Sequence, residues 1–137
     1  MDEPSMIGID TNVLLRMMLA DDESQLRAVR RLLSSRSVAA PAFISLLVVA
    51  EASWVLKRTY RTQNSDIAGA FLQLMASPEF FFEEENFLAS LFREFPAGQT
   101  DISDHIVSFL SKRAGCAKTY TFDQGAARSV PGMELLT

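Results

Sequence analysis

Short β-capable runs alternate with helical patterns along the whole chain, and almost no tight-turn signal joins one run to the next. That alternation narrows the fold more than any other feature. Strands separated by helices pair in parallel, and a parallel sheet needs helices on both faces. The first unit sets the pattern: Met6 to Asp10 reads as a short buried strand ending in an acid, Thr11-Asn12 supplies capping chemistry, and a helix runs over Val13 to Leu19. Asp21, Asp22, Glu23 and Ser24 then cap an amphipathic helix that buries Leu26, Val29, Leu32 and Leu33 and turns Arg27, Arg30 and Arg31 outward.

Ser37 to Ala40 is β-capable, and a strongly apolar helix is expected from about Phe43 to Tyr60, largely buried. Asn64 to Met75 reads as a further helix stopped by Ser77-Pro78, and Phe80 to Phe82 as a core strand. Glu83 to Glu85 open a helix carrying Phe87, Leu88, Leu91, Phe92 and Phe95, which Pro96 and Gly98 end. From Asp101 a helix buries Ile102, Ile106, Phe109 and Leu110 up to Gly115. Thr119 to Phe122 and Met133 to Leu136 read as the last strands.

A length of 137 residues with 48% apolar content suffices for one core, and neither a repeat nor a linker divides the chain, so a single domain over 1–137 is expected. Cys116 is alone and cannot form an internal disulfide, which suits a reducing cytoplasm. The segment Met1 to Ser5 carries acids where a secretory signal would carry a basic run. The longest apolar stretch, Ala42 to Leu56, is interrupted by Glu51 and is too short to span a bilayer, so a soluble protein without a membrane role is expected. Seventeen acids against thirteen bases argue against a polyanion binder working through net charge alone.

Among the acids, Glu51 draws attention as the lone charge between Ala42 and Leu56, where an isolated carboxylate needs compensation. A basic partner, a wet helix face beside Ser45 or Ser53, and a metal ion are the alternatives. Asp10 and Asp123 each fall at the carboxyl end of a strand, where a parallel sheet opens its ligand crevice, yet each also suits a helix cap. Asp101 holds the natural N-cap position of its helix and Asp104 the third position, where acids favour the helix dipole. Taken together, Asp10, Glu51, Asp104 and Asp123 can converge on one crevice. Oxygen ligands without His or Cys suit Mg²⁺, with Mn²⁺ as an alternative, and disfavour zinc.

The strings Ile9-Asp10-Thr11-Asn12-Val13-Leu14-Leu15-Arg16, Val49-Ala50-Glu51-Ala52-Ser53-Trp54-Val55-Leu56, Asp101-Ile102-Ser103-Asp104-His105-Ile106-Val107 and Thr121-Phe122-Asp123 resemble the PIN-domain family, and within it the VapC-type toxins of bacterial toxin–antitoxin pairs. They occur in the family's order across nearly the whole chain. The resemblance implies a three-layer α/β/α sandwich with a central parallel sheet and an acidic pocket holding Mg²⁺ or Mn²⁺. It implies an endoribonuclease that inhibits translation, a homodimer, and an antitoxin whose C-terminal segment blocks the site. Carried over by position, Asp10 and Asp104 are direct metal ligands, Glu51 and Asp123 complete the pocket, and Asp101 is a weaker fifth member. Thr11, Asn12 and Thr121 match positions that hold the carboxylates in place. His105 stands where the family usually has a small residue and is assigned no catalytic or metal role.

Arg16 is open to two readings, a phosphate contact or an ion pair with Asp21 or Asp22. The rivals are a housekeeping RNA-processing nuclease without an antitoxin and a non-catalytic partner-binding domain on the same fold. A dehalogenase-type phosphohydrolase would want a second Asp where Asn12 stands, and a receiver domain would want an Asp ending its middle strand and a Lys ending a later one; neither pattern is met.

Overall fold

The computed structural model describes residues 5–94 and 100–137. The expected helix stop at Pro96 and Gly98, and the segment before Ser5, lie outside them. The element order is β1 (Ile7–Gly8), α1 (Thr11–Leu19), α2 (Glu23–Leu33), β2 (Ala42–Ile44), α3 (Leu46–Arg58), α4 (Asn64–Met75), β3 (Phe80–Phe82), α5 (Glu85–Arg93), α6 (Ile102–Arg113), β4 (Thr119–Thr121), α7 (Gln124–Ser129) and β5 (Met133–Leu135). Every strand pair is parallel, as the missing hairpin signals imply. β2 lies between β1 and β3, with Ala42 opposite Ile7 and Phe80, while β4 pairs with β5 as a separate two-stranded ladder. These short parallel strands among helices are the α/β arrangement expected of a three-layer α/β/α sandwich.

One expected boundary is corrected. The apolar stretch from Ala42 is not a single helix, and Ser37 to Ala40 is not a strand. Ser37 and Ala40 close a turn on each other, and Ala42 to Ile44 form the central strand, with Phe43 inside it. Ser45 divides strand from helix: its Oγ accepts from the Val48 N–H at 3.2 Å, while Glu83 Oε1 accepts from the Leu46 N–H at 2.8 Å. Two of the donors left open at the start of α3 are thereby satisfied.

The core joins Ile44 of β2 and Phe82 of β3 to Leu14 and Leu15 of α1, Val49 and Ala52 of α3, Phe71 of α4, Leu88 of α5, and Ile102 and Ile106 of α6. Phe71 stacks on Phe92 and meets Phe82 edge-on, which ties α4 to α5 and β3. α3 packs against α1 on one side and α6 on another, and α6 against β4. The helix is therefore the shared wall between the two ends of the chain that carry the candidate acids. Among the described residues no helix is long and apolar enough to cross a membrane.

Candidate active site

Asp10 follows β1 and is itself the N-cap of α1, its Oδ1 accepting from the Val13 N–H at 3.0 Å. The capping role expected of Thr11-Asn12 thus belongs to Asp10. This frees the Thr11 hydroxyl, which donates to Glu51 Oε2 at 3.0 Å and so joins the first motif to the second, forty positions on. Asn12 is exposed.

Glu51 is also exposed, and the expectation that its helix buries it is overturned. α3 buries Leu46, Val49, Ala52, Ser53 and Leu56, while Leu47, Glu51, Trp54 and Arg58 recur three or four positions apart on the opposite side. A 3.6-residue period gives even a mostly apolar helix an outer row, and Glu51 stands in it between two exposed apolar side chains. The wet-face alternative is met, but beside Leu47 and Trp54; Ser53 is buried.

At the other end of α3 stands a second acidic group. Asp101 holds the N-cap position of α6 but makes no capping hydrogen bond. Its carboxylate is taken by α3 instead, with Lys57 Nζ 2.8 Å from Oδ1 and Arg58 Nη2 donating to Oδ2 at 3.0 Å. Burial alone would raise the Asp101 carboxyl, yet the hydrogen bonds and charges of Lys57 and Arg58 outweigh it and hold the group below the usual carboxylate range.

Asp104, one turn on, goes the other way. Burial pushes it above its ordinary value, and the charges of Asp101 and Asp123 add to the push, against a weaker opposing hydrogen bond from the Asp101 backbone and the charge of Lys57. Two acids at one helix start are thus separated by their surroundings: Asp101 is neutralised by cations and Asp104 is crowded by anions.

Asp123 follows β4 and caps α7, its Oδ1 accepting from the Ala126 N–H at 3.0 Å, while its own N–H donates to Thr121 Oγ1 at 3.0 Å. His105 lies on the buried side of α6, where burial pushes its imidazole below its ordinary value and favours the neutral form. Arg16 pairs with Asp21 at 2.9 Å, the plainer of its two readings.

Two sets of contacts thus join the expected residues. Asp10, Thr11 and Glu51 meet at the start of α1, whereas Asp101, Asp104 and Asp123 interact at the start of α6. Glu51 and Arg58 are seven positions apart on α3, about 10 Å of helix rise. Among the described residues no three ligating side chains are close enough to hold one ion between them. The donor chemistry still fits magnesium, which dehydrates reluctantly and is commonly held by one or two carboxylates with waters completing the shell. The crowding of Asp104 by Asp123 and Asp101 is what a divalent cation would relieve. Lys57 and Arg58 escaped the sequence reading. Their signal was two bases ending an apolar helix, which ordinary dipole complementarity explains equally well.

A family model described as the PIN domain matches residues 7–130, from the start of β1 to the end of α7, and so takes in every candidate acid. No curated protein matches the chain.

Proposed function

The chain belongs to the PIN-domain family, whose members are generally metal-dependent nucleases, and on that premise we propose that it is a Mg²⁺-dependent endoribonuclease acting as the toxin of a toxin–antitoxin pair. The observation that carries the reading is the opposed surroundings of Asp101 and Asp104. A carboxylate at a helix start whose charge is disfavoured by burial and by neighbouring acids suits a cation.

In this reading Asp10 and Asp104 would hold the ion, with waters completing its shell and Glu51 and Asp123 completing the pocket, and Mn²⁺ can replace Mg²⁺. A bound divalent ion supplies an acidified water and compensates the charge that builds on a phosphodiester under attack. The chain's own residues position. Thr11 holds the Glu51 carboxylate at 3.0 Å, which keeps it toward the start of α1 as an acceptor for a water proton. Thr121 receives the Asp123 N–H and fixes the turn from which that carboxylate projects. The Phe122 ring, 79% exposed beside Asp123, offers an unpaired base a stacking surface, which favours a single-stranded RNA target.

The outward row of α3 supports the partner half of the proposal. Leu47 and Trp54 flank Glu51 in the open, so a protein segment covering them, from an antitoxin or from the second subunit of a homodimer, would also cover a site residue.

Incubation of cellular RNA with the protein, with and without Mg²⁺, tests the nuclease. Wild type cleaves with Mg²⁺, while Asp10→Asn folds and does not; full activity of that variant refutes the assignment. Growth arrest on expression, relieved by the product of a small neighbouring gene, tests the toxin. Cleavage without arrest favours the housekeeping nuclease, and no cleavage under any metal favours the partner-binding domain.

A further inference from the structure

Asp101 has more cationic company than a structural ion pair requires. Lys57 alone neutralises it at 2.8 Å, with both side chains largely shielded, 16% and 13% exposed, and this contact suffices to join the end of α3 to the start of α6. Arg58 adds a second contact at 3.0 Å while its side chain remains 55% exposed. A guanidinium has five N–H donors in a planar fork, and the Asp101 contact is made through Nη2. The side chain is otherwise more than half exposed, at a place where the charges of Asp104 and Asp123 are felt.

An acidic pocket that cleaves a polyanion must overcome its own repulsion of the substrate. Three carboxylates, Asp101, Asp104 and Asp123, against Lys57 and Arg58 leave one net negative charge; a divalent ion turns that into one net positive charge. Lys57 is shielded on Asp101, and Arg16 is committed to Asp21. Of these three cations Arg58 is the one whose side chain is more than half exposed.

We propose that Arg58 binds a phosphate of the substrate backbone, and that Asp101 is a positioning residue that holds the guanidinium beside Asp104 and Asp123 and does not ligate metal. The inference rests on the nuclease reading above and assigns two residues within it. Planar, bidentate recognition of phosphate is what a half-anchored guanidinium does better than an ammonium group.

The test uses the full chain, a fluorescently labelled single-stranded RNA of mixed sequence with Ca²⁺ in place of Mg²⁺ to hold it intact, and anisotropy at several salt concentrations. Arg58→Gln, which keeps the aliphatic stem, should bind about tenfold more weakly and lower the slope of log affinity against log salt by about 0.7, the loss of one single-strand phosphate contact. Arg58→Lys should recover the binding and the slope but not the turnover with Mg²⁺, which falls about a hundredfold when a fork aimed at developing charge is lost. In the absence of RNA, Mn²⁺ titration followed by electron paramagnetic resonance should leave Asp101→Asn within about twofold of wild type and weaken Asp104→Asn at least tenfold. An unchanged salt slope in Arg58→Gln overturns the phosphate role, and a loss of Mn²⁺ affinity in Asp101→Asn as large as in Asp104→Asn overturns the positioning role. Wild-type protein that neither binds nor cleaves RNA overturns the nuclease reading and this inference with it. Wild type that cleaves beside Arg58 variants that cleave equally well overturns this inference alone.

Discussion

Replacing Asp104 with Asn should have opposite consequences without and with metal. Without metal, the substitution removes a charge that burial and the neighbouring Asp101 and Asp123 disfavour, and keeps the side chain's shape. The variant should therefore melt no lower than wild type. With a divalent ion at a hundred times its dissociation constant, wild type gains about 2.7 kcal/mol from mass action. For a chain of 137 residues, at about 2.1 cal/mol/K of unfolding entropy per residue, each kcal/mol is worth about 3.5 °C, so the melting temperature should rise by about 9 °C.

A variant with tenfold weaker affinity gains about 1.4 kcal/mol, or about 5 °C, at the same ion concentration. Differential scanning calorimetry with EDTA and with Mn²⁺ reads both arms. The pH dependence has a defined sign. Because the folded pKa of Asp104 is raised, its ionisation costs stability above that pKa, and protonation removes the cost as pH falls through it. The metal-free advantage of Asp104→Asn should therefore be largest near neutral pH and close on acidification. A variant that melts several degrees below wild type in EDTA, or keeps the whole shift with Mn²⁺, refutes the reasoning.

Asp101→Asn should instead destabilise the metal-free protein by about 2 kcal/mol, since Lys57 is left largely shielded beside a neutral group while the more exposed Arg58 contributes little; denaturant titration reads it. That difference should persist at neutral pH and vanish only below the usual carboxylate range, because the Asp101 pKa is lowered. Thr11→Val removes the 3.0 Å hydrogen bond to Glu51 at an exposed site, so stability should fall by less than about 1 kcal/mol. RNA cleavage by that variant should drop about tenfold, and an unchanged rate would remove Thr11 from the site. Gly132→Ala would place a Cβ 2.8 Å from Ser108 Oγ at a backbone φ of +87°, which should cost about 2 kcal/mol by thermal melting; a wild-type melting temperature would refute the crowding. Phe122→Ala should leave the melting temperature unchanged and weaken binding of a single-stranded RNA by about 1–3 kcal/mol in the anisotropy assay, equal affinity excluding a stacking role.

Where local chemistry is decisive, the elements fall at the residues the sequence indicates. α4 spans Asn64–Met75 and β3 spans Phe80–Phe82 because Ser77-Pro78 separates a 3.6-residue period from a run of three phenylalanines. Asp22 and Asp123 cap their helices through bonds to N–H groups three residues away, as expected of acids in those positions. The boundary that failed, at Ala42 to Ile44, lies in an apolar stretch where strand and helix are equally hydrophobic. Ser45 is the local sign of the division, and a serine is also compatible with a helix interior.

The sequence by itself determined the order of strands and helices, the parallel pairing and the acids that follow β1 and β4, because caps, breakers and hydrophobic period act over a few residues. Tertiary structure alone decided that Glu51 stands in the open on the outer row of α3, that Thr11 reaches it, and that Asp101 and Asp104 have opposite surroundings. Those outcomes depend on which helix packs beside which. Capping geometry treats two acids three positions apart at one helix start almost alike, and the approach of Lys57 and Arg58 from α3 makes one an anchored carboxylate and leaves the other crowded by like charge.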